Sequence, residues 1–313
     1  MAEMGIVIVT YFSEAEIGPC LDAVRGTGAD VVVVDNASRD GTVAEVERRG
    51  VRVIANRVNV GFAAAVNQGV TVLKSSYLLL LNPDAVVEGG LEHLRAACDL
   101  PGAAGAGGRL VGPGGQLQVG FMVRALPTPA ALILEALLLN RIWPGNPVNR
   151  RYRALGLDYK TRAPVEQPAG AFLMIRRDVW EDLGGFDEGF RPLWFEDVDY
   201  CRRAMDRGYI LYYEPGAVAL HTGGHSISKI AVELRPVYWY SNLIRYAALH
   251  FRPLALRAVC LAVLSGALPR AFAGCAVEWS VRPLAAYWEV ARLASRCLVF
   301  GWRDEVVLQG PRE

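Results

Sequence analysis

The sequence predicts an α/β fold built on a mostly parallel sheet, and three observations carry that prediction. Short uninterrupted apolar runs recur through the first hundred residues, stretches of helical spacing separate them, and polar turns end the runs abruptly. Gly5 to Tyr11 reads as a buried strand, and Glu14 to Arg25 follows with Ile17, Leu21 and Val24 on one helical face. Val31 to Val34 is a second strand, closed by the turn DNASRDGT before a helical stretch from Val43 to Arg49. Val51 to Ala55 repeats the pattern, and NRVNVG leads into a small-residue helix from Phe62 to Leu73. Tyr77 to Leu81 is a continuous apolar run that stops at Asn82-Pro83-Asp84. Such alternation puts helices on both faces of the sheet and ligands beyond the carboxyl ends of its strands. Tyr11, Asp35 and Asp84 fall at those ends.

The rest of the chain is less regular. RLVGPGGQLQV reads as a hairpin around Pro-Gly-Gly, and Leu126 to Pro164 as variable loops and helices. Gly170 to Ile175 returns to strand character, Arg177 to Leu183 and Phe195 to Arg207 to helix, and Tyr209 to Tyr213 and Val218 to His221 to two short strands. From Pro236 to Trp302 the chain is rich in Leu, Ala, Val, Trp and Arg. Its longest uncharged stretch, Ala258 to Pro269, is shorter than the roughly 20 apolar residues of a spanning helix. Tryptophans 239, 279, 288 and 302 among arginines suit either helices lying in a membrane interface or a helical subdomain with an oligomer contact. The expected division is a nucleotide-binding half (1–100), an acceptor and catalytic half (101–230), and a helical extension (231–313).

In 313 residues, 33 Lys and Arg balance 32 Asp and Glu, so no excess of positive charge points to nucleic acid. Cys20, Cys98, Cys201, Cys260, Cys275 and Cys297 stand singly, without a CxxC pair, which fits a reducing cytoplasm better than a disulfide framework or zinc knuckle. The opening MAEMGIVIVTYFSE is too short in its apolar run and too little basic for a signal peptide, and reads as the first strand inside the fold.

Four places carry candidate chemistry. Asp35 and Asn36 leave a four-valine strand where a carboxylate can read a nucleobase N–H, although Ser38, Asp40 and Gly41 also make an ordinary helix entry. Asp84 could supply one oxygen to a hard cation such as Mg²⁺ or Mn²⁺; taken alone, Asn82-Pro83-Asp84 is a proline turn that caps the next helix. In Trp194-Phe195-Glu196-Asp197-Val198-Asp199, three acids begin a helix whose capping needs only one. Asp199 suits a pair with Arg202 or Arg203 at helical spacing, and Asp197 a general base walled by Trp194 and Phe195. His221 precedes the flexible Thr222-Gly223-Gly224-His225-Ser226, and two of the 4 histidines beside glycines suggest metal or phosphate contact.

Taken as an ordered series, IVIVTYF, VVVVDNASRDGT, NVGFAAAVNQG, LLLLNPDAVV, GAFLMIRRDVWEDLGGFDEGF, WFEDVDYCRRAMDRGY and ALHTGGHS resemble glycosyltransferase family two, over roughly residues 4 to 226. The resemblance is closest to the rhamnosyltransferase-like branch, which often carries NPD where other members carry Asp-x-Asp. It implies a GT-A fold and an inverting, metal-assisted transfer from a nucleotide-sugar donor, with dTDP-rhamnose or a UDP-sugar favoured. By resemblance Thr10, Tyr11, Asp35 and Arg57 contact the nucleoside, and Asp84 is the surviving acid of the metal motif, with Asn82 at the position of its first Asp. Asp197 is the base, Glu196 orients the acceptor or assists, His221 reaches the metal or diphosphate, and Gly170 and Ala171 lie beside the donor sugar.

A sugar nucleotidyltransferase would need a glycine-rich basic loop where this chain has TYFSEAE. An inactive nucleotide-sugar sensor is the other alternative, encouraged only by NPD. The expected acceptor is a glycan or lipid-linked saccharide, reached in the cytoplasm or at the inner face of its membrane.

Overall fold

The computed structural model describes residues 2–224 and 228–302. In chain order the first elements are β1 (Met4–Thr10), α1 (Glu14–Val24), β2 (Asp30–Asp35), α2 (Thr42–Arg48), β3 (Arg52–Ala55), α3 (Phe62–Val72), β4 (Tyr77–Leu81), β5 (Ala85–Gly89), α4 (Leu91–Cys98) and β6 (Ala103–Val111). Next come β7 (Val123–Arg124), α5 (Pro129–Ala136), α6 (Leu139–Ile142), α7 (Pro147–Tyr152), β8 (Ala163–Val165), β9 (Gln167–Pro168), β10 (Phe172–Arg176), α8 (Arg177–Leu183), α9 (Glu196–Asp206) and β11 (Ile210–His221). Three helices follow: α10 (Leu234–His250), α11 (Pro253–Glu278) and α12 (Arg282–Phe300).

The chain forms two compact units, the first holding residues up to Leu126 with Arg153–Glu188 and Glu196–Lys229. Its nine-stranded sheet runs β3-β2-β1-β4-β10-β6-β11-β5, with β8 also pairing β11. Strands β1 to β4 are mutually parallel, and β10 enters antiparallel between β4 and β6. Alternate residues of the apolar runs serve opposite faces. Ile6, Ile8, Val33, Leu79 and Leu81 pack with Ile17, Leu21 and Leu94 of α1 and α4, whereas Val7, Val9, Val32, Val34, Leu78 and Leu80 pack with Val66 and Val70 of α3 and Tyr200 of α9. Burial on both faces is why these strands carry no polar alternation.

Strand β11 is one element where two short strands were expected. Its first part, Leu211 to Tyr213, lies beside β8, and its last part, Val218 to His221, beside β5. The register against β6 shifts between Glu214 and Val218, where Pro215 and Gly216 interrupt the sequence pattern. Val111 bridges Leu117 antiparallel and Gly112 N–H donates to Gln116 O at 2.8 Å, forming the expected hairpin.

The second unit comprises Pro127–Tyr152, Gly189–Phe195 and the residues from Ile230 onward. Helix α5 begins at Pro129 after Thr128, whose hydroxyl accepts from Ala131 N–H at 3.2 Å. Its last carbonyls receive the Arg270 guanidinium, which donates to Glu135 O at 2.7 Å and to Ala136 O. Gly266 permits this approach, since a Cβ there would stand 2.0 Å from Ala136 O. Helix α11 spans 26 residues and runs on past the uncharged stretch that ends at Pro269; where that stretch alone was too short, the whole helix is long and apolar enough, by length and composition, to cross a membrane.

Candidate active site

Strand pairing brings the first acids to one edge. Thr10 and Asp35 end adjacent parallel strands in register, and the Thr10 hydroxyl donates to Asp35 Oδ1 at 2.9 Å. Ser38 donates to the same carboxylate through its N–H at 2.9 Å and through its hydroxyl. Asp35 is 1 % exposed, so three internal donors orient the carboxylate at the strand end. Asp40 fills the helix-entry role instead, accepting from Thr42 N–H at 3.2 Å and Glu14 N–H at 3.4 Å. Tyr11 is half-buried just past Thr10, with its ring edge-on to Phe12. Asn56 N–H donates to Asp35 O at 2.9 Å, which leaves Arg57 one residue beyond the same edge, exposed.

A second cluster forms where β4 turns into β5. Ala85 pairs with His221 at the end of β11, which explains how residues so far apart in sequence meet. Asp84 Oδ1 lies 3.5 Å from His221 Nε2, and Asp84 Oδ2 accepts from Gly223 N–H at 3.0 Å. Burial works to raise the Asp84 carboxyl, but the neighbouring His221 ring and backbone N–H groups outweigh it, and the group sits below the ordinary Asp range. Asn82 Nδ2 stands 3.4 Å from His221 Nε2. Gln118, absent from the sequence-derived candidates, lies 2.8 Å from His221 Nδ1 through its amide oxygen, and Phe121 stacks on the imidazole at 5.2 Å. Among the described residues no three His, Cys, Asp or Glu groups cluster as a complete metal cage. One carboxylate oxygen and one imidazole nitrogen at 3.5 Å suit two neighbouring ligands of Mg²⁺ or Mn²⁺, with water and phosphate oxygens completing the shell. His225 lies outside the described residues.

The third group stands at the amino end of α9. Asp197 Oδ2 accepts from Gly170 N–H at 3.0 Å and Gln167 Nε2 at 3.1 Å, and its Oδ1 from Val198 N–H at 2.8 Å. Burial raises the Asp197 carboxyl; Gly170, Val198 and the charge of Arg124 only partly oppose this. Glu196 rises much further, by burial and then by the negative charge of Asp197, and its Oε2 is buried without a hydrogen-bond partner. Asp199, 1 % exposed, instead accepts from Arg203 Nε at 2.7 Å, the helical pairing its spacing suggested. Ala171 connects the second and third groups: its carbonyl accepts from Asn82 N–H at 3.0 Å, one residue after Gly170 holds Asp197. Trp194 and Phe195 belong to the second unit, where both pack against Trp239 and Phe195 also meets Tyr246.

The family model described as "Glycosyl transferase family 2" matches residues 5–183. The chain is a family 2 glycosyltransferase. Over 214 residues this glycosyltransferase is 30% identical to N-acetylglucosaminyl-diphospho-decaprenol L-rhamnosyltransferase of Mycobacterium tuberculosis, spanning 64% of this chain and 68% of that one. It is 26% identical over 206 residues to the low-salt glycan biosynthesis hexosyltransferase Agl10 of Haloferax volcanii, spanning 64% and 61%. In fold it resembles mannosyltransferase PcManGT from Pyrobaculum calidifontis, solved with GDP-Man and Mn²⁺, at a TM-score of 0.51 and 16% identity over 96% of this chain and 88% of that one. GalNAc-T7, solved with UDP, GalNAc and Mn²⁺, aligns at 0.50 and 16% over 70% and 43%. The glycosyltransferase therefore has a GT-A fold, and its similarity to the mycobacterial enzyme places it in the rhamnosyltransferase-like branch.

Proposed function

We propose that this glycosyltransferase moves a sugar from dTDP-rhamnose or a UDP-sugar to a hydroxyl of a lipid-linked saccharide or other glycan, with inversion. The observation that carries the proposal is Asp197, a partly buried carboxylate with a raised proton affinity, held by Gln167 and by Gly170, whose neighbour Ala171 contacts Asn82. In this reaction Asp197 takes the proton of the acceptor hydroxyl while that oxygen bonds to the anomeric carbon. The carbon–oxygen bond to the diphosphate breaks on the opposite face, and its electron pair leaves with the diphosphate. A single displacement of this kind inverts the anomeric centre and needs no covalent enzyme intermediate. Thr10, Tyr11, Asp35 and Arg57 are assigned to the nucleoside, Gly170 and Ala171 to the donor sugar, and Glu196 to the acceptor side.

Asp84 and His221 would hold a divalent cation, which when bound neutralises charge on the diphosphate. The Mn²⁺ in the two fold relatives supports a divalent cation in the reaction. A lipid-linked acceptor agrees with the diphospho-decaprenol named for the mycobacterial relative and with the apolar exposed face of α11, and would place the reaction at the inner face of the cytoplasmic membrane. Calorimetric titration with UDP-, dTDP- and GDP-sugars, each with Mn²⁺ and with EDTA, tests the donor. Metal-dependent binding of a dTDP- or UDP-sugar is expected; binding of none of them would sink the proposal.

A further inference from the structure

We propose that Gln118 is a positioning residue that keeps the proton of His221 on Nδ1, so that Nε2 presents its lone pair to a cation beside Asp84. The assignment rests on His221 contacting that cation, and follows from the donors and acceptors around one glutamine. Gln118 Nε2 lies 2.7 Å from the main-chain oxygen of His221 itself. A carbonyl oxygen only accepts, so the amide nitrogen must occupy that place and the amide cannot be flipped. Its oxygen is then the atom 2.8 Å from Nδ1. An amide oxygen also only accepts, so Nδ1 must donate. In the neutral ring this leaves Nε2 bare, facing Asp84 Oδ1 at 3.5 Å and the Asn82 amide nitrogen at 3.4 Å.

The clamp is built before any ligand arrives. Gln118 N–H donates to Leu110 O at 3.1 Å, and Gln118 O accepts from Met122 N–H at 3.0 Å, so its backbone is held from both sides. Phe121 lies nearly parallel to the imidazole, at 13°, and restricts its rotation. His221 is 2 % exposed, which keeps bulk water from replacing the amide. A partner that fixes the remote nitrogen of a ligating histidine commonly contributes about 10–100-fold to metal affinity.

The test reads the tautomer first. Long-range ¹H–¹⁵N correlation spectra of the histidine-labelled, metal-free wild-type protein at alkaline pH, with His221→Asn to assign the ring, should show the proton on Nδ1. Gln118→Leu should mix the tautomers and weaken binding of Mn²⁺ alone, titrated by electron paramagnetic resonance, by about tenfold or more. Gln118→Glu keeps an acceptor toward Nδ1 and should retain the Nδ1–H form. A wild-type ring protonated on Nε2, or unchanged Mn²⁺ affinity in Gln118→Leu, overturns the assignment while leaving the metal site standing. A wild-type protein that takes up no Mn²⁺ overturns both.

Discussion

Gly170 N–H and Asp197 Oδ2 are joined by a 3.0 Å hydrogen bond that ties the loop entering β10 to the first turn of α9. With Gln167 on the same oxygen and Val198 N–H on the other, three donors aim the carboxylate. A general base so placed contributes typically 10²–10⁴ in rate. Asp197→Asn should therefore reduce transfer by about 10²–10⁴ with the melting temperature and donor affinity little changed. Initial rates beside calorimetric donor binding decide it, and a variant with normal turnover would remove Asp197 as the base.

Beside the same bond, position 170 has room for a methyl group. A Cβ at Gly170 would stand 3.4 Å from Asp197 Cβ and 3.5 Å from its Oδ2, ordinary contact with no backbone in the way. Gly170→Ala should fold with nearly unchanged melting temperature yet lose transfer, because the methyl group takes space assigned to the donor sugar. A larger fall in stability than in kcat/KM would reverse that order and make the glycine structural.

Arg124 contributes, after the Gly170 and Val198 N–H groups, to where the base titrates. Burial raises the Asp197 carboxyl and the positive charge of Arg124 holds it back, so the acidic limb of kcat/KM should lie above the ordinary Asp range of about 3.9. Arg124→Gln removes the opposing charge and should move that limb to higher pH. A pH–rate profile that stays in place or moves down would contradict the coupling.

Much of this arrangement was legible in the sequence, for a physical reason. Strands buried on both faces must be apolar throughout, so VVVVD and YLLLL announced their own ends and delivered Asp35 and Asp84 to one edge. The acids opening α9 were visible because a cap needs only one. Gln118 and Gln167 were not, since a glutamine acquires its role from partners 103 and 30 positions away that no local pattern reveals. Helix α11 misled in the opposite sense. The uncharged stretch ends at Pro269 before the charge of Arg270, but Pro269 lies on the exposed face and the guanidinium turns inward to the carbonyls of α5, so the helix continues.

Glu196 predicts a stability that depends on pH. Its carboxyl is raised well above the usual range by burial and by Asp197, so the folded chain holds a proton that the unfolded chain has already released. Stability from that proton is complete below the unfolded value and is lost as pH rises toward the folded one. Glu196→Gln cannot ionise and should melt higher than wild type at pH 8, by about 2–4 °C for each kcal/mol in units of 150–250 residues. At pH 4 the advantage should vanish. Scanning calorimetry at both pH values checks it, and a larger gain at pH 4 would reverse the sign.

The exposed face of α11 makes the last prediction. Leu254, Leu261, Leu268 and Phe272 follow at intervals of seven, seven and four, which at 100° per residue keeps them on one side of the helix. All four are exposed, Leu254 by 79 %, while Leu256, Val259, Val263 and Ala267 are buried. No acidic residue interrupts Pro253 to Val277, Arg257 lies on the exposed side, and Trp279 at the far end is 93 % exposed. Apolar side chains with an aromatic end and basic charge suit an anionic bilayer interface. A leucine moved from water into such a layer is worth about 1.5–3 kcal/mol, so Leu261→Glu with Leu268→Glu should weaken binding to anionic phosphatidylglycerol vesicles by at least about tenfold. Co-sedimentation measures this, and light scattering measures mass in parallel: unchanged vesicle binding with a dimer converted to monomer would assign the stripe to a second copy of the chain instead.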